Sequence, residues 1–228
     1  MKRCLIYFVL FCFLIPTAII FAHQPNFVDK QLIIIDNEPD ISKAYYGELS
    51  GSEVVYTIKA TSSLKLYLQI LSPKISGSRK DFTVSILDDK QNVIINLATS
   101  SEGWQSWYED YGGDWYWRGP SFNQIIPDGT YKIVVSNPDN IGKYSLAVGE
   151  TESFPLNKFP NIIRELYLTK INFFNEPWYG IFYGVVGKYL LLGSIILLLI
   201  LIIIIWIIFH LLNKRHKNNK KYEKNRME

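Results

Sequence analysis

Residues 126–148 read IPDGTYKIVVSNPDNIGKYSLAV, and this stretch decides the fold class. Its segments Tyr131–Val135 and Tyr144–Val148 alternate apolar side chains with a period of two, which predicts half-buried β-strands. Before each strand stands a cluster of turn-forming residues, Pro127-Asp128-Gly129 and Pro138-Asp139-Asn140. The stretch is therefore predicted to form two neighbouring strands joined by a turn.

The same pattern continues towards the N-terminus. Gln31–Ile35 is β-branched and apolar, and four more segments alternate with a period of two: Glu53–Lys59, Leu64–Ile70, Phe82–Leu87 and Val93–Leu97. Turn residues separate these segments, and no stretch with a helical period interrupts them. Short strands spaced by roughly 8–12 residues predict an all-β antiparallel sandwich or jelly roll, which we place at residues 23–150.

Residues 126–148 resemble the last two strands of bacterial pre-peptidase C-terminal (PPC) domains. The resemblance rests on Gly129-Thr130-Tyr131, the hydrophobic strand and turn that follow, and Gly142-Lys143-Tyr144-Ser145-Leu146. Because Gly51–Ile58 is similar to the opening strand of these domains, the resemblance spans about Tyr46–Val148. It implies a β-sandwich fold and an accessory role beside a secreted hydrolase. The aromatic segment described below is not typical of the family.

A C-terminal segment is predicted to cross a membrane. Tyr189–Phe209 reads YLLLGSIILLLILIIIIWIIF and contains no charged residue. As an α-helix it would cover about 31 Å, roughly one hydrocarbon core. The following tail has seven Lys or Arg against two Glu, an excess typical of the cytoplasmic side. We predict a transmembrane helix at 186–211 and a basic cytoplasmic tail at 212–228, in a microbial single-pass cell-membrane protein whose N-terminal domain is extracytoplasmic.

Residues 1–22 have the layout of a secretory signal peptide, with Lys2 and Arg3 before an apolar run and a small Ala22 at the end. The alternative is an uncleaved anchor, which would give two spans with both termini inside. The only cysteines, Cys4 and Cys12, lie in this segment, so we expect no disulfide in the sandwich.

The exported region lacks the residues that most catalysis needs. The three histidines are His23, at the start of the exported chain, and His210 and His216, at the inner edge of the span. A Ser-His-Asp triad, a Cys-His pair, a His-ligated zinc site and a Gly-rich phosphate loop are therefore not expected. Paired carboxylates or a Ser–Lys pair stay open, but we expect no enzyme. The net charge of +3 arises from the basic tail, so we also expect no nucleic-acid partner.

Residues 102–120 are unusually aromatic. Between positions 104 and 117 they carry Trp104, Trp107, Tyr108, Tyr111, Trp115, Tyr116 and Trp117. Exposed Trp and Tyr side chains stack sugars or anchor peptides, which predicts a recognition surface. The candidate ligand-binding residues are Trp104, Trp107, Tyr108, Tyr111 and Tyr116. Core packing of at least half of the aromatic residues is compatible with this hypothesis.

A hairpin turn is predicted at Gly112-Gly113. Since neighbours on a strand point to opposite faces, Trp115 and Trp117 should share one face and Tyr116 should lie on the other. We expect Trp115 and Trp117 to be core residues and Tyr111 to be exposed beside the tip.

The carboxylates Glu109, Asp110 and Asp114 flank this turn and are candidate ligands of a calcium ion. Calcium takes about six to eight oxygen ligands, so three carboxylates fall short without backbone or remote ligands. Their spacing matches no calcium loop, and no other cofactor is predicted.

Residues 151–185 form a juxtamembrane segment, in which an amphipathic helix is predicted to begin at Asn161. Its apolar face consists of Ile162, Ile163, Leu166 and Ile171, with Arg164, Glu165 and Lys170 off that face. The helix either lies in the plane of the membrane or packs on the sandwich. After it, an aromatic belt is predicted to contact membrane lipid at headgroup depth, formed by Trp178, Tyr179, Phe182 and Tyr183.

Three functions follow from these features. The first is a non-catalytic, membrane-anchored extracytoplasmic recognition module that binds a protein, glycan or envelope polymer through the aromatic segment. The alternative is a small structural subunit of a membrane complex, held by its juxtamembrane helix and span. The third is a hydrolase accessory or an enzyme. Binding by the isolated ectodomain favours the first, whereas binding that needs the span favours the second.

Overall fold

The alternating segments form β-strands in the computed structural model, which describes residues 23–28, 30–35, 38–98, 103–153 and 159–227. Eleven strands lie within these residues. They are β1 (Gln24–Phe27), β2 (Leu32–Ile34), β3 (Lys43–Ser50), β4 (Val54–Ala60), β5 (Leu64–Pro73), β6 (Thr83–Leu87), β7 (Val93–Ala98), β8 (Gln105–Glu109), β9 (Asp114–Ile126), β10 (Gly129–Ser136) and β11 (Ile141–Val148). The predicted signal peptide at residues 1–22 lies outside the described residues.

The strands form two sheets that pack face to face. One has the order β1-β3-β11-β5-β9-β8, and the other has the order β2-β4-β10-β6-β7. Neighbouring strands are antiparallel except at two edges, where β1 runs parallel to β3 and β2 runs parallel to β4. A parallel pair needs a crossover connection, and here the chain changes sheets between the paired strands. The predicted sandwich is confirmed, with these two parallel pairs as a detail that the sequence pattern did not indicate.

The space between the sheets is filled by alternate side chains from both of them. On β4, for example, Val54, Tyr56 and Ile58 are buried while the residues between them are partly exposed. The hydroxyls of Tyr56 and Tyr144 lie 2.8 Å apart within this core, and neither residue is exposed. A buried hydroxyl without a hydrogen-bond partner is unfavourable. This pair therefore satisfies both hydroxyls and joins β4 of one sheet to β11 of the other.

The six-stranded sheet is also covered on its outer face. Helix α1 (Phe159–Leu168) is followed by a π-helical segment (Thr169–Phe173). The Phe173 ring packs edge-on against Tyr46, with ring centroids 4.9 Å apart, and the Phe174 ring packs in the same way against Tyr116, at 5.0 Å. Of the two interpretations of the juxtamembrane segment, packing on the sandwich is the one that the structure shows.

A single long helix ends the described chain. A 3₁₀ turn (Trp178–Phe182) leads into α2 (Val185–Met227). Within α2, the stretch Val185–Lys217 is long and apolar enough to cross a membrane, and none of its most apolar part is buried within the protein. The helix begins one residue before the predicted span at 186–211 and continues well beyond its C-terminal end. The direction in which it crosses, and the cytoplasmic position of residues 212–228, stay predictions.

Replacing Tyr144 by Phe is expected to lower the free energy of unfolding by about 1–3 kcal/mol, because the Tyr56 hydroxyl is then left buried without a partner. The double variant Tyr56→Phe/Tyr144→Phe should lose less than the sum of the two single variants, because it leaves no orphaned hydroxyl. Chemical denaturation followed by tryptophan fluorescence measures the free energy of unfolding of the parent chain, the two single variants and the double variant. Strictly additive losses would contradict the role assigned to the hydroxyl pair.

Candidate functional site

The aromatic segment forms a hairpin made of β8 and β9. In the register of this hairpin, Glu109 lies opposite Asp114, Tyr108 opposite Trp115, and Trp107 opposite Tyr116. Cross-strand partners share a face, so Glu109, Asp114, Trp107 and Tyr116 all lie on one side of the hairpin. That side is the outer face of the six-stranded sheet, which the juxtamembrane segment covers.

The tip of the hairpin contacts the first turn of α2. The backbone N–H of Val185 donates to the carbonyl oxygen of Asp110 at 2.9 Å, and that of Val186 donates to Tyr111 at 3.4 Å. The first N–H groups of a helix have no partner inside the helix. The carbonyls of the hairpin supply these partners, and their negative ends also face the positive end of the helix dipole. The hairpin thus caps the helix that is predicted to span the membrane.

Glycines make this close approach possible. Gly113 has a φ of +79°, a conformation that favours glycine, and a Cβ added to it would overlap the backbone of Tyr183 and Gly184. A Cβ on Gly184 would in turn overlap the carbonyl oxygen of Tyr111. Both Gly112 and Gly113 are buried. The tip of the predicted hairpin is therefore buried, because these glycines allow two backbones to meet.

A buried ion pair lies beside the glycines. Lys170 Nζ is 2.6 Å from Asp114 Oδ1, and the two side chains are 0% and 1% exposed. Lys170 Nζ is also 3.4 Å from the carbonyl oxygen of Gly113 and 3.5 Å from Glu176 Oε2. Lys170 was expected off the apolar face of an α-helix. It is buried instead because it belongs to the π-helical segment, whose wider turn changes the direction of its side chains.

The carboxylate of Glu109 binds the backbone of the tip. It accepts hydrogen bonds from the N–H of Tyr111 at 2.8 Å and of Gly112 at 2.7 Å. Burial raises the pKa of Glu109 to about 7, although these two hydrogen bonds oppose the shift. Burial likewise raises the pKa of Asp114 to about 6, with Lys170 opposing it. The hairpin therefore holds two carboxyl groups whose protonation is tied to burial beneath the juxtamembrane segment.

The structure divides the predicted aromatic residues into buried and partly exposed groups. Trp104, Tyr111 and Tyr116 are buried, whereas Trp107 and Tyr108 are half-buried. Two expectations are wrong, since Tyr111 is only 8% exposed and Trp115 is 51% exposed. Trp115 and Trp117 do lie on the face opposite Tyr116. Trp117 still packs against the core between the sheets, but Trp115 lies two residues nearer the tip and beyond that core. Ligand binding by the predicted residues stays a prediction.

Two lysines that the sequence did not single out contact Trp115 and Trp117. Lys74 Nζ lies 4.9 Å from the ring centroids of both Trp115 and Trp117, and Lys80 Nζ lies 4.5 Å from that of Trp117. The Tyr108 and Trp115 rings are 5.1 Å apart. Lys74 follows the end of β5, and only the pairing of β5 with β9 brings it to this hairpin. No local sequence signal could have indicated that pairing.

The three candidate calcium ligands do not converge. Asp114 faces Lys170 and Glu109 faces two backbone N–H groups, while Asp110 is exposed. Within the residues that the structure describes, no group of three or more His, Cys, Asp or Glu side chains is arranged to hold a metal ion.

A second feature is an open groove of about 590 Å³ between β1 and α1. Its lining is largely polar and includes Gln24, Asn26, Arg164 and Glu165. One oxygen of Glu165, Oε2, is buried and has no hydrogen-bond partner among the described residues. The groove is thus a second place where a polar ligand can be accommodated.

No known family and no curated protein matches this chain. Among solved structures it is similar to the pre-peptidase C-terminal domain of a collagenase from Bacillus anthracis, at 15% identity over 56% of this chain and 95% of that one, with a TM-score of 0.31. It is also similar to the catalytic-domain structure of a GH87 α-1,3-glucanase in complex with nigerose, at 17% identity over 48% of this chain and 22% of that one, with a TM-score of 0.26. These similarities concern the fold alone.

Proposed function

We propose that this chain is a non-catalytic membrane protein that holds a PPC-like sandwich in a fixed position at the bilayer surface, as a small structural subunit of a membrane complex. The observation that carries this proposal is the set of contacts that the tip of the β8–β9 hairpin makes with α1, with the π-helical segment and with residues 181–186 at the start of α2. We call these contacts the clamp. In this proposal the buried aromatic residues of the hairpin join the sandwich to the helix, and no soluble ligand needs to reach them.

The clamp joins three separate parts of the chain. Tyr111 from the hairpin, Leu166 from α1 and Val186 from α2 belong to one buried apolar cluster, together with Ile162 and Ile181. Fully burying one such aliphatic side chain contributes about 1.5–3 kcal/mol. The uncharged run begins at Tyr189, about 6 Å along the helix from Val185. No flexible linker therefore separates the clamp from the span, and the sandwich follows the orientation of the helix.

The buried ion pair makes the clamp close as a unit. Separating Asp114 from Lys170 without water would leave a buried charge without its partner, which typically costs about 3–5 kcal/mol. The two charges are therefore favourable either when paired with each other or when both are exposed to water, so a partly opened clamp is unfavourable. A buried pair of this kind adds little net stability over an apolar pair, but it favours one register of the hairpin against the helix. That register sets the direction in which the sandwich faces.

Recognition by the sandwich alone is the second candidate function, and the groove between β1 and α1 favours it. The groove is open and polar, and its polar groups come from β1 of the sandwich and from α1, which packs on the sandwich. A polar peptide or glycan would match its amide, guanidinium and carboxylate groups. The two candidate functions differ in what the partner requires. A structural subunit must hold the sandwich in a fixed orientation, whereas recognition requires only the surface of the sandwich.

Gly184→Val tests the fixed-orientation proposal, because its side chain would overlap the Tyr111 carbonyl and open the clamp. Spin labels at Ile125→Cys and Leu191→Cys should give a narrow distance distribution in the parent chain and a broad one in this variant. Gly193→Val is the matched control, since a Cβ there meets nothing within 4 Å. Proteins cross-linked to the full chain in native membranes should be retained by the control and lost in Gly184→Val. Retention by Gly184→Val, or by the isolated ectodomain, would instead favour recognition by the sandwich alone.

Lys170→Met is expected to lower the stability of the clamp by about 3–5 kcal/mol, because it leaves Asp114 buried without a partner. Lys65→Met is the matched control: its ion pair with Glu150 has the same 2.6 Å distance but side chains that are 63% and 42% exposed. Losing such a surface pair should cost about 0–1 kcal/mol. Hydrogen exchange at the amides of Val185 and Val186, which donate to the hairpin carbonyls, reports opening of the clamp. Equal protection of these amides in both variants would show that the buried pair does not hold the hairpin.

Glu109→Gln is expected to change how stability depends on pH. The pKa of Glu109 is raised from 4.5 to about 7 by folding, so the folded state binds the proton more tightly than the unfolded state. The stability that protonated Glu109 contributes to the folded state is therefore fully present below about pH 4.5 and is lost as the pH rises through about 7. The melting temperature of Glu109→Gln relative to the parent chain should rise across this window. Asp110→Asn, an exposed neighbour, controls for loss of a negative charge, and parallel pH profiles for all three proteins would contradict the assignment.

A further inference from the structure

The face of the hairpin that the clamp leaves free carries an aromatic and basic surface. We call it the lateral patch and define it by Tyr108, Trp115, Trp117, Lys74 and Lys80. Trp115 is 51% exposed, although it is a large aromatic residue at the end of a strand. The backbone N–H of Lys74 donates to the carbonyl oxygen of Trp115 at 2.9 Å, so the lysine is fixed beside the ring.

The lateral patch lies close to the predicted membrane boundary. Trp115 is two residues from Gly113, a separation of at most about 7 Å. Gly113 itself packs on the backbone of Gly184, immediately before α2 begins. The hydrocarbon boundary at Tyr189 is about 6 Å further along the helix. The headgroup layer of each leaflet is about 5–7 Å thick, so the tip of the hairpin lies at the outer edge of the headgroups, with Trp115 within about 7 Å of that tip.

The chemistry of the patch fits this layer. Trp and Tyr prefer the membrane interface because they combine an apolar ring with a polar group, and Lys residues attract anionic headgroups. A sugar that stacked on Trp115 would have to compete with Lys74, whose ammonium group lies over that ring, and with the Tyr108 ring beside it. The 3₁₀ turn before α2 exposes further aromatic residues, with Trp178 61% and Tyr179 49% exposed. The two surfaces adjoin the same end of the helix.

We propose that the lateral patch is a lipid-binding surface: it rests on the headgroup layer of the leaflet that α2 enters, with anionic lipid beside its lysines. The sandwich then has two attachments to the membrane, the helix through the clamp and the patch through Trp115. A transmembrane helix can tilt in the bilayer and carry the sandwich with it, and the second attachment limits that tilt.

The test places a fluorescent probe at Trp115→Cys in the full chain, with Cys4 and Cys12 replaced by Ser so that no other thiol reacts. The chain is reconstituted in nanodiscs of phosphatidylcholine with and without phosphatidylserine. Ile125→Cys is the matched control, because it lies on the same strand and is 74% exposed but sits at the far end from the tip. Lipids with a nitroxide headgroup should quench the probe at position 115 several-fold more strongly than at 125. Aqueous iodide should show the opposite order.

A second measurement keeps the aromatic patch nearly intact. Brominated lipids should quench a smaller share of the tryptophan emission in Trp115→Phe than in the parent chain, because one lipid-facing tryptophan is then missing. Lys74→Glu should weaken lipid quenching of the probe at 115 most in nanodiscs that contain phosphatidylserine. If position 115 is as open to iodide, and as distant from the nitroxide, as position 125, the proposal is overturned. A soluble ligand such as a glycan then becomes the partner of the patch.

Discussion

The buried ion pair between Lys170 and Asp114 is the constraint on which the arrangement of sandwich and helix depends. Neither charge is exposed, and they come from segments 56 residues apart in the chain. A buried charge needs its partner, so the hairpin must meet the π-helical segment in one register. Once that register is set, Gly113 lies against Gly184, and the carbonyls of Asp110 and Tyr111 reach the first N–H groups of α2. The capping contacts follow from the pair.

The two faces of one hairpin are used differently because side chains alternate along each strand. On one face Asp114 and Tyr116 are buried beneath the juxtamembrane segment and Glu109 is half-buried, whereas the face with Tyr108 and Trp115 stays open. Aromatic residues lie on both faces for different reasons. On the covered face they pack against the juxtamembrane segment, and on the open face they are available to contact the membrane surface. This explains why seven aromatic residues occur so close together without forming one continuous binding surface.

The sequence predicted those features that depend on local periodicity. The period of two located the strands of the sandwich, and it correctly put Trp115 and Tyr116 on opposite faces. Periodicity cannot tell which face another segment covers, so Trp115 was wrongly assigned to the core and Tyr111 to the surface. Lys170 was misplaced because a helical period of 3.6 residues was assumed for a π-helical segment. The contacts of Lys74 with Trp115 depend on strand pairing over long sequence distances, which no single segment encodes.

The clamp attaches the sandwich to the helix rigidly, without a flexible linker. A module that captures a diffusing ligand gains from a flexible tether, because the tether lets its surface sample many directions. Here the cap on α2, the glycine contact and the buried pair remove that freedom, although an exposed helix alone would already anchor the domain. A fixed orientation of the sandwich is useful for binding a partner that itself occupies a fixed position relative to the same membrane. Rotation of α2 about its own axis would then move the sandwich with it, so contacts in the bilayer and contacts outside it are geometrically coupled. That coupling is what a subunit of a membrane assembly requires.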